Sequence, residues 1–86
     1  MKIEKKIWPE YFQAIADGKK KFELRLADFD VQEGDALLLR EWDPEMKTYT
    51  GREIEKEVSF VIKTKDLNFW TSEEIEKYGF QIISLR

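Results

Sequence analysis

Residues 18–25, Gly-Lys-Lys-Lys-Phe-Glu-Leu-Arg, gather an acid and two kinds of base within a few positions. Period-two alternation over 21–26 sets Glu23 and Arg25 on one face and Phe22, Leu24 and Leu26 on the other. A carboxylate beside a guanidinium stays ionised and orients it. A guanidinium held that way suits a phosphate or the edge of a base, and Lys20 adds a mobile point charge or, where desolvated, a base. The plainer expectation for the same residues is an ion pair on an exposed sheet face, contributing about 0–1 kcal/mol. The Lys19-Lys20-Lys21 run is then a solvated turn.

Arg40, Trp42 and Tyr49 form a second group. Trp42 and Tyr49 flank a hairpin loop, where either ring can stack on a base, worth about 1–3 kcal/mol in single-strand binders. Arg40 shares a strand face with Trp42 under regular pairing and can meet a phosphate. The plainer expectation is Trp42 packed beneath the loop. Trp8, beside Pro9, is expected as a core plug where the first strand meets a helix, and Phe69-Trp70 as the anchor of an irregular segment.

The elements that must position these residues follow from pattern. Residues 2–7 alternate and suggest an edge strand. Pro9 suits the first position of a helix, Phe12, Ile15 and Ala16 recur at helical spacing, and Asp17-Gly18 stops it. A strand over 21–26 precedes a polar loop, Ala27 to Gly34. Gly34-Asp35 turns the chain into Ala36-Leu37-Leu38-Leu39, a strand continuing to Trp42 and covered on both faces near its start. A loop from Asp43-Pro44 to Thr50-Gly51 leads to a strand over about 52–63, with Ile54, Val58, Phe60 and Ile62 on one side. Thr71 or Ser72 caps a short helix carrying Glu73 and Glu74 in its first turn. Gly79 ends it, and Phe80 to Leu85 returns as a final strand. Many strands and few helices in so short a chain suggest a curled or barrel-like sheet.

The totals bound the chemistry. Eighty-six residues make one small domain, residues 1–86, and its twelve aromatics help fill a small core. With neither cysteine nor histidine, disulfides, thiolate metal sites and Ser-His or Cys-His nucleophile pairs are excluded. Asp28, Asp30, Glu33 and Asp35 lack the spacing of a calcium loop, so neither a metal nor a cofactor is expected. The opening residues lack an apolar run, which points to a cytoplasmic protein with no membrane partner. Net charge is −3, against broad binding to nucleic acid. Residues 1–25 nevertheless carry seven Lys/Arg against four Asp/Glu, while 26–86 carry eight against fourteen. A local basic patch on an acidic body is compatible with that split.

The spacing Gly18-x-Lys20-x-x-Glu23-x-Arg25 resembles the signature of ASCH domains, members of the PUA-like superfamily of small β-barrels. Pro9-Glu10-Tyr11-Phe12, Gly34-Asp35, Leu38 to Asp43, Tyr49-Thr50-Gly51-Arg52 and Gly79-Phe80 extend the likeness to compact ASCH-like proteins over nearly the whole chain. The resemblance implies an α+β fold, a PUA-like (ASCH) β-barrel with two short helices. It also implies a cleft between barrel and first helix that receives RNA or a single, often modified, nucleotide. Some bacterial ASCH proteins are amidohydrolases acting on acetylated cytidine; their lysine matches Lys20, but their threonine nucleophile falls at Glu23. Glu73 or Glu74 is a candidate counterpart of their catalytic glutamate. Where closer relatives carry Arg-x-Asn-Asp-Arg-Asp, this chain reads Arg25-Leu26-Ala27-Asp28-Phe29-Asp30.

The resulting expectation is an RNA- or nucleotide-binding module whose ligand meets Gly18, Lys20, Glu23, Arg25, Arg40, Trp42 and Tyr49. The alternatives are a hydrolase of an acylated nucleoside, with Lys20 and Glu23 catalytic, and a protein-interaction domain using the acidic half.

Overall fold

The computed structural model describes residues 1–79, less the side chain of Asp66. The expected final strand at 80–85 lies outside the described residues. The elements run β1 (Lys2–Ile7), α1 (Pro9–Ala16), β2 (Ala36–Asp43), β3 (Thr48–Glu57), a 3-10 turn (Thr64–Asp66) and α2 (Ser72–Tyr78). The fold is a small α+β arrangement around one sheet of order β1-β2-β3. β1 pairs parallel with β2, and β2 antiparallel with β3.

Helix α1 forms where local signals ask for it. Pro9 occupies its first turn, and the Trp8 carbonyl accepts from the Tyr11 and Phe12 amides at 3.1 and 2.9 Å. Phe12 and Ile15, three apart, share the buried face. At the other end Gly18 takes φ 75°. The Ala14 carbonyl then accepts from both the Lys19 and Lys20 amides, at 2.9 and 3.0 Å. Helix α2 starts on a reciprocal capping box: Thr71 Oγ1 accepts from the Glu74 amide and the Glu74 carboxylate from the Thr71 amide.

The core lies between α1 and one face of the sheet. It consists of Ile7, Phe12, Ile15, Leu37 and Leu39, with Ile3, Ile54 and Val58 packed against it. Leu39 is 1% exposed, at the centre of the middle strand. The opposite face is ionic: Lys2 pairs with Glu55 at 3.0 Å, and Arg40 lies between Glu4 and Glu53 at 3.8 and 3.5 Å.

Three expectations need correction. Among the described residues the sheet is open, with three strands and no closed barrel. Residues 21–26 join no ladder, because this segment is held by side-chain bonds instead. β3 starts earlier and stops earlier than expected, at Thr48 and Glu57. A tight turn over 44–47, with the Asp43 carboxylate accepting from the Glu45 and Met46 amides, brings the chain back sooner. Beyond Glu57, Val58 donates to Asp35 and accepts from Gly34, closing the loop before β2. Phe60 and Ile62, expected beside Ile54 and Val58, are 74% and 61% exposed.

No helix among the described residues is long and apolar enough to cross a membrane.

Two stability predictions follow from this packing. Leu39→Ala removes the most buried side chain and is expected to cost about 2–5 kcal/mol in denaturant unfolding. Asp35 accepts from the Gln32 amide at 2.9 Å and from the Met1 ammonium at 3.2 Å, and these bonds hold its carboxyl below its ordinary pKa. A depressed native pKa stabilises above the unfolded value and loses that contribution as pH falls through the native one. Asp35→Asn is therefore expected to flatten the acid limb of melting temperature against pH, with the difference from the parent vanishing at the lowest pH.

Candidate functional site

Lys20, Glu23 and Arg25 converge. The Glu23 carboxylate accepts from Lys20 Nζ at 2.5 Å through one oxygen and from Arg25 Nε at 2.8 Å through the other. Lys20 Nζ also donates to the Phe22 carbonyl at 2.6 Å, and Arg25 Nη2 to the Lys6 carbonyl at 2.6 Å. The first pair of bonds links acid and bases; the last ties the group to the end of β1. Arg25 Nη1 makes no hydrogen bond to protein among the described residues, so part of the guanidinium fork is available.

These charged side chains face inward. Those of Lys20, Glu23 and Arg25 are 15%, 17% and 28% exposed, whereas Leu24 and Leu26 are 67% and 81% exposed. The alternation survives without a ladder over 23–26, where Leu24 and Leu26 lie on the outside, whereas Phe22 is half-buried beside the charged trio. Mutual neutralisation makes this tolerable, since a paired charge loses much less on leaving water than a lone one.

The three residues wall a cleft of about 710 Å³ between the end of β1, the start of α1 and the 20–25 segment. That volume lies in the range of small-molecule sites. Trp8, Tyr11 and Trp42 line it as well. Lys6 is the fourth charged residue of the lining, which thus carries three cations against one anion.

The other expected site residues fall elsewhere. Gly18 lines a second hollow, of about 470 Å³, which Lys20, Glu23 and Arg25 also line, together with Phe22 and Phe29. Arg40 and Tyr49 lie outside the cleft lining: the Arg40 guanidinium stacks 3.9 Å over the Tyr49 ring and pairs with Glu4 and Glu53. Trp42 reaches the cleft but already has neighbours. Tyr49 meets it edge-on at 5.0 Å, and the Lys6 ammonium sits 3.9 Å over its ring. Glu73 and Glu74 belong to α2 and line neither hollow.

Two aromatics that sequence reasoning left out line the cleft. Trp8, expected in the core, is 52% exposed and stands outside the cluster of Ile7, Phe12, Ile15, Leu37 and Leu39. Tyr11 is 51% exposed. Their three-residue spacing around Pro9 was the available signal. Phe69 and Trp70 likewise pack edge-on against each other at 5.5 Å, with Phe69 largely in solvent.

Glu41 is the one buried charged residue among those described, and no motif announced it. Opposite it β3 bulges: Arg40 pairs with Glu53 and Trp42 with Tyr49, so residues 50–52 face a single residue of β2. Gly51, at φ 95°, permits the bend. Thr50 Oγ1 donates to the Glu41 carboxylate at 2.7 Å, and Arg52 approaches it at 3.7 Å while donating to Gln13 of α1. Glu41 thus helps fasten helix to sheet beside the cleft. Thr50→Val removes a buried acceptor's best donor and is expected to cost about 1–3 kcal/mol by chemical denaturation.

Comparison with known proteins places this geometry in a family. Residues 3–74 match the domain of unknown function DUF3850. The chain is also 33% identical over 72 residues to the uncharacterized 12.9 kDa protein in the GpA 3′ region of Escherichia phage P2, covering 84% of this chain and 62% of that one. It therefore spans less than two thirds of that relative's length. No solved structure is a significant match. With the family match reaching from β1 into α2 and taking in every residue of the cleft, the chain belongs to the DUF3850 family.

Proposed function

We propose that the chain is a nucleotide- or RNA-binding module whose ligand enters the cleft walled by Lys20, Glu23 and Arg25. The observation that carries this reading is that those three side chains, bonded to one another, line an aromatic-walled hollow with an excess of positive charge. Glu23 holds Arg25 in a fixed pose, and a pre-set guanidinium loses less freedom on binding a phosphate or a base edge. The likeness of Gly18-x-Lys20-x-x-Glu23-x-Arg25 to the ASCH signature supports the same reading. That likeness would also imply a PUA-like barrel as the fuller architecture, beyond the open three-stranded sheet of the described residues.

A single pocket with a small positive excess, on a chain of net charge −3, suits one nucleotide or one unstacked base rather than a duplex. The contact between Lys20 and Glu23 also supports a second reading, hydrolysis of an acylated nucleoside, in which these two serve as the proton-handling groups.

Arg25→Ala and Lys20→Ala are each expected to weaken binding of nucleotides or short RNA by about ten- to a hundredfold, the worth of one charge-assisted hydrogen bond. Calorimetric titration measures this, and circular dichroism checks that the variants stay folded. Unchanged affinity in both variants would place the site elsewhere. Release of free acid from a panel of acylated nucleosides, lost in Lys20→Ala, would favour the hydrolytic reading.

A further inference from the structure

We infer that Trp8 and Tyr11 form the stacking wall of the cleft, and that its occupant is one nucleoside monophosphate unit. This rests on the binding role proposed above and adds which rings meet the base and how much charge the ligand brings. The aromatics in the lining are not equivalent. One face of Trp42 is covered by the Lys6 ammonium at 3.9 Å, and Tyr49 abuts the ring at 5.0 Å. Trp8 and Tyr11 have no ring or cation against them among the described residues, and each is about half exposed. A planar heterocycle entering the cleft therefore finds two open ring surfaces on the helix side, while a third is already occupied.

The charge of the lining sets the other half of the ligand. Lys6, Lys20 and Arg25 against Glu23 leave an excess of two positive charges. A phosphate monoester carries about −1.5 to −2 at neutral pH, which matches that excess. A triphosphate would bring more negative charge than the cleft offsets, and an uncharged nucleoside would leave its cations unanswered. Phosphate at Lys20 and Arg25 and base at Trp8 and Tyr11 use different residues of one lining. The same unit exists as a free mononucleotide and as the phosphorylated end of a single strand.

The test is calorimetric titration of the full chain with nucleoside 5′-monophosphates, ribose 5-phosphate, and a trinucleotide with and without a 5′-phosphate. Ribose 5-phosphate should bind more weakly than the mononucleotides by on the order of ten- to a hundredfold, the worth of base stacking. Trp8→Leu and Tyr11→Leu should each remove a large part of that difference and leave ribose 5-phosphate binding unchanged, and Trp8→Phe should restore most of it. Independently, the Trp8 indole N–H resonance should move upfield with a mononucleotide and not with ribose 5-phosphate. Equal affinity of the phosphorylated trinucleotide identifies a strand end as the source; preference for the mononucleotide identifies a free nucleotide. If Arg25→Ala loses nucleotide binding while Trp8→Leu and Tyr11→Leu keep it, the stacking wall is overturned and the binding role stands. If the parent binds none of these anions, the binding role itself falls.

Discussion

The Glu23 carboxylate is the constraint on which the site depends. Its two oxygens hold Lys20 and Arg25 on either side, so two cations that would repel each other become one bonded unit. That unit anchors a segment no strand supports. Arg25 reaches the Lys6 carbonyl at the end of β1, and the Lys20 amide reaches Ala14 in the last turn of α1. Sheet, helix and segment are thereby joined at one corner, and the cleft is the space between them.

The two faces of the sheet divide the remaining work. One is apolar and buried under α1, with Leu39 at its centre. The other keeps its charges paired in solvent: Lys2 with Glu55, and Arg40 with Glu4 and Glu53. Exposed pairs of this kind contribute little stability. They do neutralise most of the positive charge on that face. Glu41 is the exception on the buried side, and the bulge at Thr50–Arg52 exists opposite it and supplies its partners.

A small positive pocket in an acidic body also limits what can bind well. The overall charge disfavours long polyanions, while the local excess of cations in the cleft suits a compact one. The half-exposed rings of Trp8 and Tyr11 add apolar surface that a bare phosphate does not use. The proposed ligand, base and phosphate together, uses both.

Much of this was legible from the order of residues alone. Pro9 at the start of α1, Gly18 at its end, the Thr71 cap, the β1 strand and the apolar run of β2 all depend on groups within a few positions of one another. Nearby chemistry decides them whatever the rest of the chain does. That Glu23 and Arg25 share a side was likewise readable, because period-two spacing puts alternate residues together; Lys20, outside that alternation, joins them through its own bond to Glu23. Which side faces inward was not, since alternation is symmetric and the apolar face is the ordinary one to bury. Contacts distant in sequence reversed it: the Lys6 carbonyl took Arg25, and the core between α1 and the sheet was already filled by Ile7, Phe12 and Leu39. The same distant contacts ended β3 at Glu57 through Asp35 and Val58, bulged it opposite Glu41, and left Trp8 facing the cleft. Sequence determined the elements and the charged trio; only the fold decided which of their faces met.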